Sequence, residues 1–102
     1  MVDDSKQLKI DEALLKKGAL ILRAINHKLR QQLLQLIHKK GRVAVTEMYV
    51  KLHLEQSVAS QHLAILRKAG MVKTEREGKQ IFYAVDYDKL NDVQNLVKEI
   101  LK

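Results

Sequence analysis

The chain has 102 residues, of which 19 are Lys or Arg and 12 are Asp or Glu, so its formal net charge is +7. This length predicts one domain over residues 1–102, and the basic balance favours a polyanionic partner, either nucleic acid or an anionic membrane surface. Cysteine is absent, which excludes disulfides, thiolate metal sites and thiol redox sensing.

Neither a secretory signal nor a membrane span is visible in the sequence. Residues 1–17 mix acidic and basic side chains and lack a continuous apolar stretch. No segment approaches the roughly 18 uninterrupted apolar residues that a membrane-spanning helix needs. The basic residues are also spread along the chain instead of lining one amphipathic helix, which disfavours a membrane surface. We therefore expect a cytoplasmic protein with no membrane partner.

The first two predicted elements are helices. The first covers residues 4–25, and its apolar positions recur at roughly helical spacing. The second covers residues 27–39, with Asn26 as its N-cap and Gly41 as the residue of positive φ just past its C-terminus.

Two shorter helices are predicted next, after a possible strand at residues 42–45. Thr46 is the expected N-cap of a short third helix, which carries Glu47 in its first turn and the apolar residues Met48, Val50 and Leu52. A break at residues 53–55 precedes a fourth helix over residues 56–69. The buried positions of that helix are expected to be Ala59, Leu63 and Leu66, and Gly70 ends it. Two short helices joined by three or four residues, here within residues 46–69, are typical of a helix-turn-helix.

The hydrophobic period changes from helical to alternating over residues 71–85. Two β-runs on either side of a turn at residues 77–79 predict a hairpin, with Gly78 where positive φ is needed. A last helix follows over residues 88–102, capped by Asp86 or Asp88. Its apolar side chains step by three and four residues like a coiled-coil seam, at Leu90, Val93, Val97 and Ile100.

Several motifs in this order resemble the ArsR/SmtB family of bacterial and archaeal regulators over residues 24–85. They are Arg30 with the following LLQLI, Glu47–Met48, QSVASQHL at residues 56–63, LRKAG at residues 66–70 and the turn at Gly78. The resemblance implies a mainly α fold with a small β-hairpin (α+β), a winged helix-turn-helix that is homodimeric through its first and last helices. It also implies a transcriptional regulator, a repressor that binds double-stranded DNA at an inverted-repeat operator.

The fourth helix offers the side chains that such a protein needs for reading DNA. Short polar side chains at the N-terminal half of a recognition helix reach base edges in the major groove, and a valine packs on a thymine methyl group. The candidates are Gln56, Ser57, Val58, Ser60 and Gln61. Ser57 is equally well explained as a helix cap, and His62 as a structural residue instead of a DNA contact.

Basic and polar side chains at two other places are candidates for holding the DNA backbone. Arg67 and Lys68 lie at the end of the fourth helix, where they also complement its dipole. The tip of the hairpin, or wing, carries Arg76, Lys79 and Gln80, which we expect to hold phosphates or enter the minor groove.

Apolar residues of the first and last helices are the candidates for the dimer interface. So small a core leaves the seam of the last helix uncovered, and the first helix offers a second apolar face. The candidates are Ile10, Leu14, Ile21, Leu90, Val93, Val97 and Ile100.

The metal ligands of many ArsR/SmtB proteins are missing. Where those members have Cys-Val-Cys, this chain has Ala44-Val45-Thr46, and its last helix contains no histidine. The four histidines show no ligand spacing, at positions His27, His38, His53 and His62. We expect no metal and no cofactor. Regulation by a small molecule, by a partner protein or by no ligand stays open.

Two other classes of function compare poorly with DNA binding. No Ser-His-Asp set, glycine-rich phosphate loop or HExxH motif supports an enzyme. A winged-helix protein-interaction module without specific DNA binding is the alternative, because a fold does not fix a function.

Overall fold

The computed structural model describes residues 7–102, which form five helices and three strands. In chain order these are α1 Glu12–Ile25, α2 Lys28–Lys40, β1 Val43–Ala44, α3 Val45–Lys51, α4 Gln56–Lys68, β2 Val72–Glu77, β3 Gln80–Val85 and α5 Tyr87–Ile100. This order confirms the predicted α+β winged helix-turn-helix.

The core lies between α2, α3, α4 and the sheet. Its fully buried side chains are Leu33, Ile37, Val43, Met48, Leu63, Leu66 and Met71. On α4 the buried positions are Ala59, Leu63 and Leu66, as the helical spacing predicted. Burial of each such leucine contributes about 2 kcal/mol, so α4 is fixed on the core by one face and its opposite face is left to solvent.

The strands form one antiparallel sheet in the order β1-β3-β2. Strands β2 and β3 make the predicted hairpin, which is closed by the pair Glu77 and Gln80 around a two-residue turn. Gly78 in this turn has φ of 61°, a conformation that residues with a Cβ rarely adopt. The predicted strand near residue 43 is also present, because Val43 pairs with Tyr83 of β3.

The ends of the first two helices differ from the prediction. The first helix begins at Glu12 instead of residue 4, because the Asp11 carboxylate caps it by accepting from the backbone N–H of Leu14 at 3.0 Å. Residues 4–6 lie outside the described part of the chain. Asn26 ends α1 instead of capping α2. The N-cap of α2 is His27, whose Nδ1 accepts the backbone N–H groups of Leu29 and Arg30.

Two further expectations on helix ends need correction. The N-cap of α3 is Ala44, which lacks a polar side chain, so Thr46 lies inside the first turn and caps nothing. Val50 is 65% exposed, because α3 has only two turns and its buried face is centred on Met48. The last helix begins at Tyr87 instead of residue 88 and ends at Ile100 instead of residue 102. Its cap is the Asp86 carboxylate, one of the two caps predicted.

Two helices stand away from the core with apolar faces in solvent. In α5 no residue is buried, although Leu90 and Val93 pack partly against the core. Large exposed apolar side chains on α1 and at the end of α5 are Leu14, Leu15, Leu20, Leu22, Leu96 and Ile100. The radius of gyration is 17.3 Å, whereas a compact chain of this length has about 13 Å. These two helices need a further surface to cover them.

Candidate nucleic-acid interface

The exposed face of α4 is polar over its N-terminal half. Gln56, Ser57, Ser60 and Gln61 are all exposed. By helical spacing Ser57 and Gln61 lie opposite the buried leucines, Ser60 lies at the flank, and Gln56 is the first residue of the helix. Val58 is half-buried, so less of it is available for an apolar contact with a base. The structure therefore leaves four of the five predicted base-reading side chains exposed in the N-terminal half of α4.

Ser57 is not the helix cap. The N-cap of α4 is Glu55, and it makes no side-chain hydrogen bond to the first turn. The first backbone N–H groups of the helix consequently have no side-chain acceptor, and the helix dipole places partial positive charge there. The hydroxyl of Ser57 is exposed and free to bind another group.

The turn between α3 and α4 is fixed by hydrogen bonds at the end of α3. The N–H of His53 donates to the Val50 carbonyl at 3.3 Å, and the N–H of Leu54 donates to the Tyr49 carbonyl at 2.8 Å. This pair of bonds is a Schellman motif, which requires positive φ at its central residue. His53 has φ of 53° and is the one non-glycine residue with positive φ among residues 7–102. The angle between the two helices thus depends on a strained histidine.

His62 points into the protein instead of out of it. Its Nδ1 lies 3.1 Å from the Nη1 of Arg30 on α2. Because an arginine side chain only donates, His62 accepts this bond and its Nδ1 carries no proton. The ring also lies beside that of His27, with the two centroids 5.0 Å apart. Partial burial is the main cause that lowers the pKa of His62, and the charges of His27 and Arg30 lower it further.

The two basic residues at the end of α4 have different neighbours. Arg67 is exposed on the same side as Gln56 and Ser60. Lys68 lines an apolar groove between α1 and the end of α4, together with Lys17. The structure thus keeps Arg67 near the polar face and sets Lys68 beside the first helix.

Both acidic side chains on one face of the wing are paired with a single arginine. The Nη2 of Arg42 lies 2.9 Å from the carboxylate of Glu77, and its Nε lies 4.0 Å from that of Glu75. The same guanidinium lies over the ring of Phe82, at 3.9 Å from its centroid. Arg42 therefore offsets one of the two negative charges on this face of the wing.

The predicted wing residues are all exposed. Arg76 is near the end of β2, Lys79 is in the turn and Gln80 begins β3. Neither Arg76 nor Lys79 has an ion pair within the part of the chain that the structure describes. Because Arg42 offsets the nearby acids, the two cations are left to attract an external anion.

Sequence reasoning missed Arg42 and the orientation of His62. The signal for Arg42 was weak, since its partners lie more than thirty positions away and only the β1–β3 pairing brings them close. For His62 the sequence did contain a signal, because Arg30 belongs to the resembling motif and an arginine on an inner helix face needs acceptors.

Metal-ligating side chains do not cluster between residues 7 and 102. Ala44 lies in β1 and Thr46 in α3, and neither supplies a soft-metal ligand. Across the same residues, no helix is long and apolar enough to cross a membrane.

The fold and this surface define the class of the protein, a winged helix-turn-helix regulator. Residues 27–74 match the family described as bacterial regulatory protein, arsR family. A helix-turn-helix transcriptional regulator of Methanocaldococcus jannaschii is 34% identical over 84 residues, which cover 82% of this chain and 94% of that protein. The chain belongs to the arsR family of transcriptional regulators.

Two other similar proteins agree with this assignment. The biofilm growth-associated repressor of Agrobacterium fabrum is 41% identical over 71 residues, covering 70% of this chain and 60% of that protein. The crystal structure of NolR from Sinorhizobium fredii superposes with a TM-score of 0.71 at 27% identity, covering 92% of this chain and 96% of that one. The repressor name of the first and the fold of the second match the function and architecture predicted from the sequence.

Proposed function

We propose that this regulator represses transcription by binding an inverted-repeat operator in double-stranded DNA as a homodimer. The observation that carries the proposal is the set of exposed polar side chains in the N-terminal half of α4, namely Gln56, Ser57, Ser60 and Gln61, on a helix that is fixed in the core by Ala59, Leu63 and Leu66. Glutamine bonds adenine at two atoms, and serine bonds bases or phosphates. A rigidly held helix with these side chains suits the major groove.

The wing supplies the complementary contacts to the backbone. Arg76 and Lys79 are exposed cations at and near the tip of a hairpin that follows directly after α4, and neither has an ion pair among residues 7–102. Contacts to phosphates position a protein on the duplex without reading its sequence, whereas contacts to base edges read it. In this proposal α4 reads and the wing positions, and the site of action is the DNA of the nucleoid in the cytoplasm.

The dimer is supported by the uncovered faces of α1 and α5. Leu22 and Ile25 of α1 and Val97 of α5 line a mainly apolar groove between the two helices. Ile100 is 68% exposed at the far end of α5, beyond any contact with the core. A two-fold axis through these helices covers both faces at once and presents two copies of α4 to successive major grooves. Ile10, Leu14 and Ile21 are assigned to the same interface, with Ile10 just before α1.

Selection of bound duplexes from a random pool, followed by footprinting of the most enriched duplex, tests the proposal. We expect an imperfect inverted repeat with half-site centres about 10 base pairs apart, or a multiple of that distance. A salt titration on random duplex separates DNA binding from the protein-interaction alternative. A DNA-binding domain loses affinity steeply with salt, by a slope of about 0.9 for each phosphate that it binds. Enrichment of no sequence and a flat salt titration would refute the proposal.

A further inference from the structure

Arg30 is the one charged side chain buried in the described part of the chain, with 6% of its surface exposed. Its guanidinium bonds to two other helices. The Nε donates to the Ala24 carbonyl of α1 at 2.7 Å, and the Nη2 donates to the Arg23 carbonyl at 3.1 Å. The remaining bond, from Nη1, runs to His62 of α4 at 3.1 Å. Arg30 therefore links α2, on which it lies, to both the first helix and the recognition helix.

This buried charge is not neutralised by a carboxylate. Within residues 7–102, no Asp or Glu oxygen lies within ion-pair distance of Arg30. Its two carbonyl partners belong to the last turn of α1, where the helix dipole is negative. The end of α1 thus supplies the compensating partial charge. A buried arginine is costly unless all its donors are paired, so the loss of His62 as an acceptor has a strong effect on the cluster.

Both neighbouring imidazoles must be free of a proton at Nδ1. In His62 this atom accepts from Arg30, and in His27 it accepts the two backbone N–H groups that cap α2. A protonated imidazole donates from both nitrogens and accepts from neither. The groups that face His62 are thus Arg30 on α2, His27 at its N-cap and, through Arg30, the carbonyls of α1. A proton on His62 would place a second positive charge beside Arg30, and no Asp or Glu among residues 7–102 pairs with Arg30 to balance it.

We propose that Arg30 is a positioning residue for DNA recognition, which sets the position of α4 relative to α1 through neutral His62, and that this link is lost when His62 is protonated. The proposal rests on the proposed function, since it assigns to α4 the reading of DNA. It gives the dimerisation helix α1 a direct connection to the recognition helix. The consequence is that the affinity for the operator depends on pH. This would give the protein a means of regulation, although it lacks metal ligands at the family's cysteine positions.

Acid weakens the Arg30–His62 bond because a proton on Nδ1 removes the acceptor. The direction in which the pKa of His62 is shifted decides the pH range in which this happens. That pKa lies below its ordinary value of 6.5, since burial first, and then the neighbouring His27 and Arg30, disfavour the imidazolium. As the pH falls below that ordinary value, the unfolded or released state takes up a proton before the native state does. The contribution of the bond is therefore complete above the ordinary pKa of 6.5 and disappears progressively as the pH falls towards the lowered pKa.

The first test uses the free protein without DNA. We expect the ¹⁵N spectrum of His62 to show an unprotonated Nδ1 and a protonated Nε2 at neutral pH, with an acidic titration midpoint. Arg30→Met replaces the arginine by a side chain of similar length that lacks the guanidinium and its three hydrogen bonds. This variant should raise the titration midpoint of His62. If Arg30→Met unfolds the chain, Arg30→Lys, which keeps the charge but not the forked geometry, serves in its place. If the titration midpoint of His62 is the same in both variants as in the natural chain, the proposed role of the Arg30–His62 bond is wrong, whether or not the protein binds DNA.

The second test measures DNA selectivity against pH. The readout is the ratio of affinities for the selected duplex and a random duplex, because added positive charge strengthens both and cancels in the ratio. For the natural chain we expect the ratio to fall by about fivefold or more from about pH 7.5 to about pH 5.5, the lower end of usual coupling between linked sites. His62→Asn keeps an acceptor oxygen close to the position of Nδ1 and has no titrating group. Its ratio should stay high and change less than about twofold over that range.

His53→Asn is the matched control, because it removes an exposed imidazole from the adjacent turn and leaves the Arg30 cluster untouched. We expect it to retain the pH dependence of the natural chain. A pH dependence that persists in His62→Asn, or disappears in His53→Asn, would overturn the proposal. If neither duplex is bound by the natural chain, the proposed function fails, and the spectroscopic midpoints still decide the Arg30–His62 bond.

Discussion

Arg42 covers one face of Phe82, with the guanidinium carbon 3.9 Å from the centre of the ring, while it pairs with the acids of the wing. Arg42 lies just before β1 and Phe82 lies in β3, so one side chain ties the start of the helix-turn-helix to the hairpin. Each exposed interaction of this kind contributes about 0.5–1 kcal/mol. The larger effect is electrostatic, because the arginine offsets Glu75 and Glu77 on a surface that is proposed to face DNA.

The first prediction follows from this pairing. Arg42→Ala should reduce affinity for random duplex by about threefold to tenfold, since two acids then repel the phosphates. Adding Glu77→Gln to Arg42→Ala should restore much of the affinity. Fluorescence anisotropy at low salt measures both variants. If the double variant is as weak as Arg42→Ala, the arginine binds DNA directly instead of offsetting the acids.

The second prediction separates positioning from reading. Arg76→Ala and Lys79→Ala should weaken binding to all duplexes alike and reduce the salt slope by about 0.9 for each phosphate that is no longer bound. Gln56→Ala and Gln61→Ala should cost about 1–3 kcal/mol on the selected duplex and little on random DNA. Equal weakening on both duplexes for the glutamine variants would show that α4 does not lie in the groove as proposed.

The third prediction concerns assembly. Ile100→Glu places a charge on the apolar face of α5 and should convert a dimer at micromolar concentration into a monomer, as measured by sedimentation. The isolated subunit should tolerate it, because Ile100 is mostly exposed. Asn95→Glu adds the same charge on the opposite face of the helix and should leave the dimer intact. A natural chain that sediments as a monomer would contradict the whole interface.

The fourth prediction uses the strained turn of the helix-turn-helix. His53→Gly should stabilise the protein by about 0.5–1 kcal/mol, because glycine adopts the positive φ of the Schellman motif without a Cβ penalty. Gly70 occupies the matching position after α4, with φ of 80°, and Gly70→Ala should destabilise by a similar amount, about 1 kcal/mol. Urea unfolding measures both. Destabilisation by His53→Gly would mean that the imidazole makes an interaction worth more than the strain.

The fifth prediction is that no transition metal controls DNA binding. Zinc, copper and nickel need thiolates, or imidazoles that converge with carboxylates, and the positions of Ala44 and Thr46 supply neither. Affinity for the selected duplex should differ by less than about threefold, roughly 0.7 kcal/mol, between chelator and micromolar zinc. A stoichiometric metal ion that lowers the affinity tenfold would refute this.

Periodicity predicted the elements well and their ends poorly. The buried face of α4 and the Gly78 hairpin followed from patterns that local sequence determines, namely helical spacing and a glycine turn. The cap of α2 could not be predicted in this way. His27 is the N-cap through a ring nitrogen, whereas Asn26, a residue type that N-caps prefer, ends the preceding helix. His53 was hidden for a similar reason, since its positive φ is imposed by the bonds at the end of α3 and not by its own preference.

The candidate site divides in the same way. The exposed side chains of α4 could be predicted because a helix with a known buried face has a known free face. The Arg30–His62 bond and the Arg42 cluster join residues more than thirty positions apart, and only the tertiary packing decides which acceptors each guanidinium meets.

The absence of buried residues in α5 has a consequence for abundance in the cell. A helix of 14 residues is marginal in water by itself, and this one has little of its own core to hold it. If two subunits pair as proposed, folding of α5 and pairing of the subunits become one equilibrium, in which helix content rises with protein concentration. At low copy number the C-terminal segment would fray and expose its backbone to proteases, so that scarce subunits are removed and only assembled regulator persists. Repression under such a rule would switch on over a narrow range of expression.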